Sequence, residues 1–143
     1  MNKMLIAIGA VLLIGLSIFG YLKAVPKPAS DNAPRPRAKI ENPAFDFGEI
    51  VFGVMATHTF KLFNNGNAPL EIKRVATSCS CTTAEVSKKM IEPGQSAEIS
   101  VRYDTKAMGS GPHGVGLQER IIYIKTNDPA NPQVEANISA FVK

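Results

Sequence analysis

The sequence predicts an all-β fold, an antiparallel β-sandwich of about seven strands, and three observations support this prediction. From residue 40 onward, short runs of alternating apolar and polar residues are separated by clusters of Gly, Pro and Asn. These runs follow one another at a spacing of roughly 8–14 residues, which is typical of sandwiches and barrels. No segment after residue 40 has the helical period of an amphipathic helix.

Seven segments are predicted to be strands. "AEISVRYD" (97–104) alternates cleanly, whereas "ERIIYIKT" (119–126) is apolar on both faces, as expected of a central strand. The other five are "AFDFGEI" (44–50), "THTFKLF" (57–63), "LEIKRVA" (70–76), residues 82–87 and "VEANISAFV" (134–142). Turn signals such as "NNGNAP" and "NDPANP" separate them. The pattern favours an immunoglobulin-like type of sandwich, but the chain lacks Trp and its cysteines are too close together for an inter-sheet disulfide.

The first 23 residues predict a membrane anchor. Residues 4–22 contain no charge, and as a helix they would span about 28 Å, close to the hydrocarbon thickness of a bilayer. A cleaved signal peptide is the alternative, but the apolar run is longer than a usual signal core and no small-x-small cleavage site follows. The residues assigned to the anchor are Met4, Leu5, Ile6, Leu12, Leu13, Ile14, Leu16, Ile18, Phe19, Tyr21 and Leu22.

Residues 24–39 predict a proline-rich basic linker that leads into a folded domain, residues 40–143. Residues 1–39 carry six Lys/Arg and one Asp, a net charge of +5, whereas residues 40–143 carry ten basic and eleven acidic residues, a net charge of −1. Because the basic charge lies outside the domain, the sequence argues against a nucleic-acid partner. Counted literally, the basic flank after the anchor would place the domain in the cytoplasm, which conflicts with the export implied below.

Five motifs occur in one order along the domain: "FDFGEI", "HTFKLFNNGNAPLEI", "VATSCSCTTAE", "IEPGQSAEISVRYD" and "IYIKTNDPANP". This order resembles bacterial domain-of-unknown-function family 1573, exported domains with a "TSCgCT" signature related to major-sperm-protein-like and cilium-associated domains. The resemblance covers residues 44–142. It implies an immunoglobulin-like fold and export, but no activity. Together with the predicted anchor, this places the chain in the inner (cytoplasmic) membrane with its domain facing the periplasm or cell exterior. The chain departs from the family pattern at Ser80, which replaces a glycine, and in the longer segment 105–118.

The cysteines, Cys79 and Cys81, are one residue apart. On an extended strand such residues lie about 6.5–7 Å apart, near the outer limit for a disulfide, so a bond would require a turn or bulge. Three interpretations stay open: a structural pair, a soft-metal site such as one for Cu(I), and a redox or tethering pair. His113 is the better third metal ligand, since His58 follows the apolar face of its strand and is predicted to be partly buried in the sheet.

Residues 105–118 predict a glycine-rich hairpin loop that contacts a partner. Its glycines have the nominal spacing G-x-G-x-x-G, but no helical pattern follows them, so a dinucleotide site is rejected. The residues assigned to partner binding are Met108, Gly109, Gly111, Pro112, His113 and Gly114.

No motif of a known catalytic site occurs, neither G-x-S-x-G nor H-E-x-x-H nor a phosphate loop. The sequence therefore predicts a non-catalytic, membrane-anchored envelope binding module, an accessory or stabilising subunit of a larger membrane or periplasmic complex. Its expected contacts are the lipid bilayer and other envelope proteins, with no cofactor and no small-molecule substrate. The alternative is a copper- or thiol-handling envelope protein that uses Cys79 and Cys81.

Overall fold

The computed structural model describes residues 33–143, which form nine strands. In chain order these are β1 Ala38–Glu41, β2 Ala44–Ile50, β3 Met55–Asn64, β4 Leu70–Thr77, β5 Thr82–Val86, β6 Met90–Ile91, β7 Ser96–Asp104, β8 Gly116–Thr126 and β9 Gln133–Val142. The predicted anchor, residues 4–22, lies outside the described residues. Within residues 33–143, no helix has both the length and the apolar character needed to cross a membrane.

The strands form two sheets whose inner faces enclose one hydrophobic core, which confirms the predicted β-sandwich. One sheet has the order β1-β3-β7-β5 and the other β2-β9-β8-β4-β6. All seven predicted strands are present, with ends shifted by up to three residues, and β8 lies in the interior of its sheet as its two apolar faces predict. The largest fully buried side chains include Phe60, Leu62, Leu70, Ile91, Ile99, Tyr103, Ile122 and Ile124.

The structure corrects the boundary between linker and domain. Strand β1 begins at Ala38, inside the predicted linker segment 24–39, and it pairs with β3. Ala38 and Ile40 point into the core, and the Ala38 amide donates to the buried Asp128 carboxylate at 2.9 Å. The Arg37 amide donates to the Asn64 side-chain oxygen at 3.2 Å. These contacts come from distant parts of the chain, so the local composition does not reveal them.

The second correction concerns strand direction, because one pairing in the sandwich is parallel. Strand β2 runs parallel to β9, with Ala44 opposite Asn137 and Ile50 opposite Val142, whereas the sequence predicts an all-antiparallel sandwich. The cause is a change of sheet: β1 belongs to the four-stranded sheet, and after only two residues the chain continues as β2 in the other sheet. Asn42 in this connection has a φ of 49°, a left-handed conformation that Asn tolerates.

The sandwich has two distinct ends. At one end, the turn 78–81 lies beside the loops 51–54 and 105–115 and the residue Lys143; backbone hydrogen bonds join Asp104 to Cys81, Thr105 to Val54, and Phe52 to Lys143. We call this the CxC end. At the opposite end the chain enters the domain, and the Asn65 and Asn67 amides donate to the carbonyls of Arg37 and Arg35. The segment that leads into the domain therefore lies at the end opposite the cysteines.

Candidate functional site at the CxC turn

The cysteines occupy a turn rather than a strand. Residues 78–81 connect β4 of the five-stranded sheet to β5 of the four-stranded sheet, so the chain crosses between the sheets here. The turn brings the two Cα atoms to 5.3 Å, and a disulfide joins Cys79 and Cys81. That separation is well within the usual range for disulfides, whereas the spacing of about 6.5–7 Å on an extended strand is near or beyond its outer limit.

Hydrogen bonds that do not involve the disulfide also hold the turn. The Thr77 hydroxyl donates to the Cys79 carbonyl at 3.0 Å or to the Thr82 carbonyl at 2.8 Å. Ser78 forms a reciprocal pair with Ile121, since its amide donates to the Ile121 carbonyl and its hydroxyl accepts from the Ile121 amide. The sulfur bond itself closes a loop of only three residues, and in the chain-entropy model so short a loop contributes little stability.

The two sulfurs lie in different surroundings. Cys81 is only 2 % exposed and belongs to the core, whereas Cys79 is half-buried and packs against the core from its edge. Cys79 also lines a shallow cavity of about 390 Å³ together with Met108, Pro112 and His113. A reagent in solvent can therefore approach the turn from the Cys79 side.

Arg120 on β8 contacts the disulfide directly. Its Nε donates to the Cys81 sulfur at 3.0 Å. Its remaining donors bind neutral oxygens: Nη1 binds the Glu119 carbonyl at 2.7 Å, and Nη2 binds the Gln118 side-chain oxygen at 2.6 Å and the His113 carbonyl at 3.2 Å. The guanidinium is therefore held in one position, with its charge beside Cys81.

Tyr103 forms the inner wall beside this guanidinium. The Arg120 Cζ lies 5.6 Å from the centre of the Tyr103 ring, a cation–π distance. Burial raises the pKa of the Tyr103 phenol; the nearby Arg120 charge opposes that rise, and Asp104 adds to it. Arg120 thus lies between a buried aromatic ring and the buried sulfur.

The glycine-rich loop is shorter than expected and folds back on itself. It spans residues 105–115, because Gly116, Leu117 and Gln118 already belong to β8 rather than to the predicted 105–118 loop. The Gly109 amide donates to the Lys106 carbonyl at 3.0 Å, and the Gly114 amide to the Gly111 carbonyl at 2.9 Å. A Cβ on Gly114 would overlap the Gly109 carbonyl. The close approach that the glycines permit is therefore between two parts of this loop.

The sequence-predicted ligands are brought together only in part. His113 and Met108 line the same cavity as Cys79, which no sequence spacing indicates. Within residues 33–143, no three His, Cys, Asp or Glu side chains are grouped as a metal site requires. The cysteines are in a disulfide, so thiolate ligation of Cu(I) would require the reduced pair, and it stays a prediction.

His58 has the place in the sheet that its pattern predicts. Its ring stacks on Phe45 with centroids 3.7 Å apart and meets Phe60 edge to face at 4.6 Å. Burial lowers the pKa of His58 from its ordinary value of 6.5. The neutral imidazole therefore packs as an aromatic residue at the edge of the core.

Exposed apolar side chains are concentrated at the CxC end. Leu117 is 70 % exposed and Phe141 48 % exposed, and the two are direct neighbours across β8 and β9. Of the large apolar residues that are exposed in the described part of the chain, only Met90 lies at the opposite end. The others, at the CxC end, are Val51, Val54, Met55, Met108, Leu117 and Phe141.

Sequence reasoning missed Arg120, Leu117 and Phe141 as candidate functional residues. The alternation of β9 contains a usable signal, since placing Ile138, Ala140 and Val142 in the core directs Phe141 outward. Arg120 gives no signal, because its contact with Cys81 joins residues 39 positions apart.

Comparisons with known proteins agree with this architecture. The family model described as "Protein of unknown function (DUF1573)" matches residues 38–142. A protein of unknown function from Porphyromonas gingivalis W83 is similar in structure with a TM-score of 0.67 and 24 % identity; the match covers 81 % of this chain but only 51 % of that one. This chain therefore corresponds to about half of the Porphyromonas protein.

Two further solved structures share the fold at low identity. A PapD-like domain of human CEP192 has a TM-score of 0.57 and 12 % identity, with 83 % of this chain and 93 % of that one covered. SSP-19, an MSP-domain-like protein of Caenorhabditis elegans, has a TM-score of 0.51 and 14 % identity, with 71 % and 97 % covered. No curated protein matches the sequence. The family match spans most of the chain, and the protein belongs to the DUF1573 family.

Proposed function

We propose that this protein is a non-catalytic, membrane-anchored binding module of the cell envelope, an accessory or stabilising subunit of a larger complex, and that it binds its partner protein through the CxC end. The observation that carries this proposal is the concentration of exposed apolar side chains at that end. Exposed apolar side chains that lie next to one another, as Leu117 and Phe141 do, commonly mark a site of protein contact.

The surface around Leu117 has the shape that a partner contact requires. The cavity beside Cys79 adjoins a second one of about 640 Å³ on the outer face of the five-stranded sheet, because Ser78 and Glu119 line both. Leu117 lies at the first cavity, and Phe141 is beside it. Apolar side chains next to concave surface can be covered by a complementary partner, and such buried anchors dominate the affinity of interfaces.

The way the chain enters the domain supports the same assignment. Residues 33–37 lie at the end opposite the cysteines. A tether formed by the apolar segment 4–22 and the proline-rich segment 24–37 would therefore hold the domain by that end. The entering chain would then leave the CxC end free to contact a soluble domain of the complex.

The test is co-purification of the full-length chain from its native membrane in mild detergent, with the affinity tag at the amino terminus. We expect a partner in a fixed stoichiometric ratio, lost from the Leu117→Ser/Phe141→Ser variant. Met90→Ser, which changes a similarly exposed residue at the opposite end, should retain it. Equal recovery from both variants would refute binding through the CxC end, and the absence of any stoichiometric partner would refute the subunit assignment.

A second candidate function is Cu(I) handling by the reduced cysteines. It is supported by the placement of Met108 and His113 in the cavity that Cys79 lines, since thioether and imidazole are ligands that copper accepts. Under anaerobic, reducing conditions we expect the chain to bind one Cu(I), and the Cys79→Ser/Cys81→Ser variant to bind none. Equal copper binding by both proteins would refute this candidate.

A further inference from the structure

We propose that the Cys79–Cys81 disulfide is an exchangeable redox site that accepts an electron pair from the dithiol of a partner protein. In this assignment Cys79 is the sulfur that is attacked, Cys81 is the sulfur that leaves, and Arg120 is the positioning residue that stabilises the departing thiolate. The exchange requires none of the exposed apolar side chains, so it can be tested separately from partner binding.

The difference in access decides which sulfur is attacked. Thiol–disulfide exchange needs the attacking thiolate to reach one sulfur. Cys81 is buried in the core at 2 % exposure, whereas Cys79 lines an open cavity. An incoming thiolate therefore meets Cys79.

The position of Arg120 decides the other half of the reaction. Exchange is faster when the leaving sulfur is stabilised as a thiolate, and a neighbouring cation provides that stabilisation. The Arg120 Nε already donates to the Cys81 sulfur at 3.0 Å. Among residues 33–143 the ion pair is Lys143–Glu49, so no carboxylate in this part of the chain pairs with the Arg120 charge. That charge remains available for the Cys81 thiolate.

The reaction balances in two steps. First, a partner thiolate attacks the Cys79 sulfur; a mixed disulfide forms, the Cys79–Cys81 bond breaks, and Cys81 leaves as a thiolate beside Arg120. Then the second partner thiolate attacks the partner sulfur of the mixed disulfide and displaces the Cys79 thiolate. The partner dithiol is oxidised to a disulfide and the domain is reduced to a dithiol, with two electrons transferred and the two protons of the partner thiols taken up by the cysteines or by solvent.

The turn is also held by hydrogen bonds that do not depend on the disulfide. The Thr77 hydroxyl contacts, the Ser78–Ile121 pair and the bond from the Asp104 amide to the Cys81 carbonyl at 2.8 Å do not involve the sulfur–sulfur bond. After reduction these contacts keep the two cysteines close together. The disulfide can then form again without refolding of the domain.

The first test measures the redox equilibrium of the full-length chain in dithiothreitol buffers, with free thiols trapped by a maleimide that shifts the mass. Arg120→Gln removes a charge-assisted hydrogen bond from the thiolate, so it should lower the equilibrium constant for reduction of the disulfide by about tenfold or more. Arg120→Lys should recover part of the effect. The control is Arg74→Gln, an exposed arginine on β4 away from the cysteines, which should match the wild type. An Arg120→Gln equilibrium equal to that of the wild type would overturn the proposal.

The second test identifies the attacked sulfur and needs no change at Arg120. The full-length chain with its disulfide intact is incubated with reduced glutathione, the reaction is stopped with excess maleimide, and tandem mass spectrometry locates the glutathione on Cys79 or on Cys81. We expect at least about ten times more glutathione on Cys79, because Cys79 lines the open cavity and Cys81 is buried. Equal amounts on the two cysteines, or more on Cys81, would overturn the assigned roles.

Discussion

Reducing the Cys79–Cys81 disulfide should lower the free energy of unfolding by only about 1.6 kcal/mol, the chain-entropy value for a closed loop of three residues. A loop of fifteen residues would give about 3 kcal/mol on the same scale. The backbone and hydroxyl contacts of the turn remain after reduction, so no larger loss is expected. A disulfide that closes so short a loop contributes too little free energy to be the main stabilising element of the domain.

The assay is urea unfolding followed by the circular dichroism of the β-structure, with and without a phosphine reductant. A loss of about 1.6 kcal/mol corresponds to a midpoint lower by about 1 M urea for a domain of this size. The Cys79→Ala/Cys81→Ala variant is the control, and reductant should not change its midpoint. A reductant-dependent loss above about 3 kcal/mol would refute the reasoning, because the bond would then be a structural staple.

Three further predictions concern the fold and the loop. Asn64→Ala should lower the free energy of unfolding, measured in urea, by about 3 kcal/mol or more, because the fully buried amide makes four hydrogen bonds to backbone groups. A decrease below about 1 kcal/mol would contradict this. Gly114→Ala should speed proteolysis within residues 105–115, because its Cβ would overlap the Gly109 carbonyl, whereas Gly111→Ala, with open space around it, should not; equal cleavage would argue against the packed loop. For His58, burial lowers the pKa in the folded state, so the unfolded chain binds more protons and stability should fall as the pH drops through 6.5 toward the folded value. His58→Phe should weaken that pH dependence in the same titration, and an unchanged dependence would assign it to other groups.

Much of the fold can be predicted from the sequence because its strands carry strong local patterns. The alternation in β7 indicates a strand with one face toward the core, and the double-sided apolar run in β8 indicates a strand in the interior of its sheet. The turn signals between strands place the boundaries within a few residues. These features are local, and periodicity reports them directly.

Strand β1 and the parallel pairing of β2 depend on distant contacts. Only Ala38 and Ile40 of β1 face the core, and the strand is fixed by Asp128, which is 90 residues from Ala38. The change of sheet after Asn42 is likewise invisible to a window of a few residues. The proline-rich composition around β1 therefore gives no local signal for this strand, which forms through tertiary contacts.

The candidate site divides in the same way. The cysteine spacing indicates that a disulfide needs a turn, and the structure contains that turn with a Cα separation of 5.3 Å. The difference between the two sulfurs arises from the crossing of the chain between sheets, and Arg120 reaches Cys81 only because β8 lies alongside β4. The topology thus brings the groups of the site together, whereas the local sequence shows only which residues are available.

The most direct test of the central claim, that the CxC end is the functional end of the domain, is site-specific photo-crosslinking in cells. A photoreactive residue is placed at Leu117 in one full-length chain and at Met90 in another, at opposite ends of the sandwich. We predict one discrete protein adduct from position 117 and none from position 90. A discrete adduct from position 90 with none from position 117 would contradict the claim.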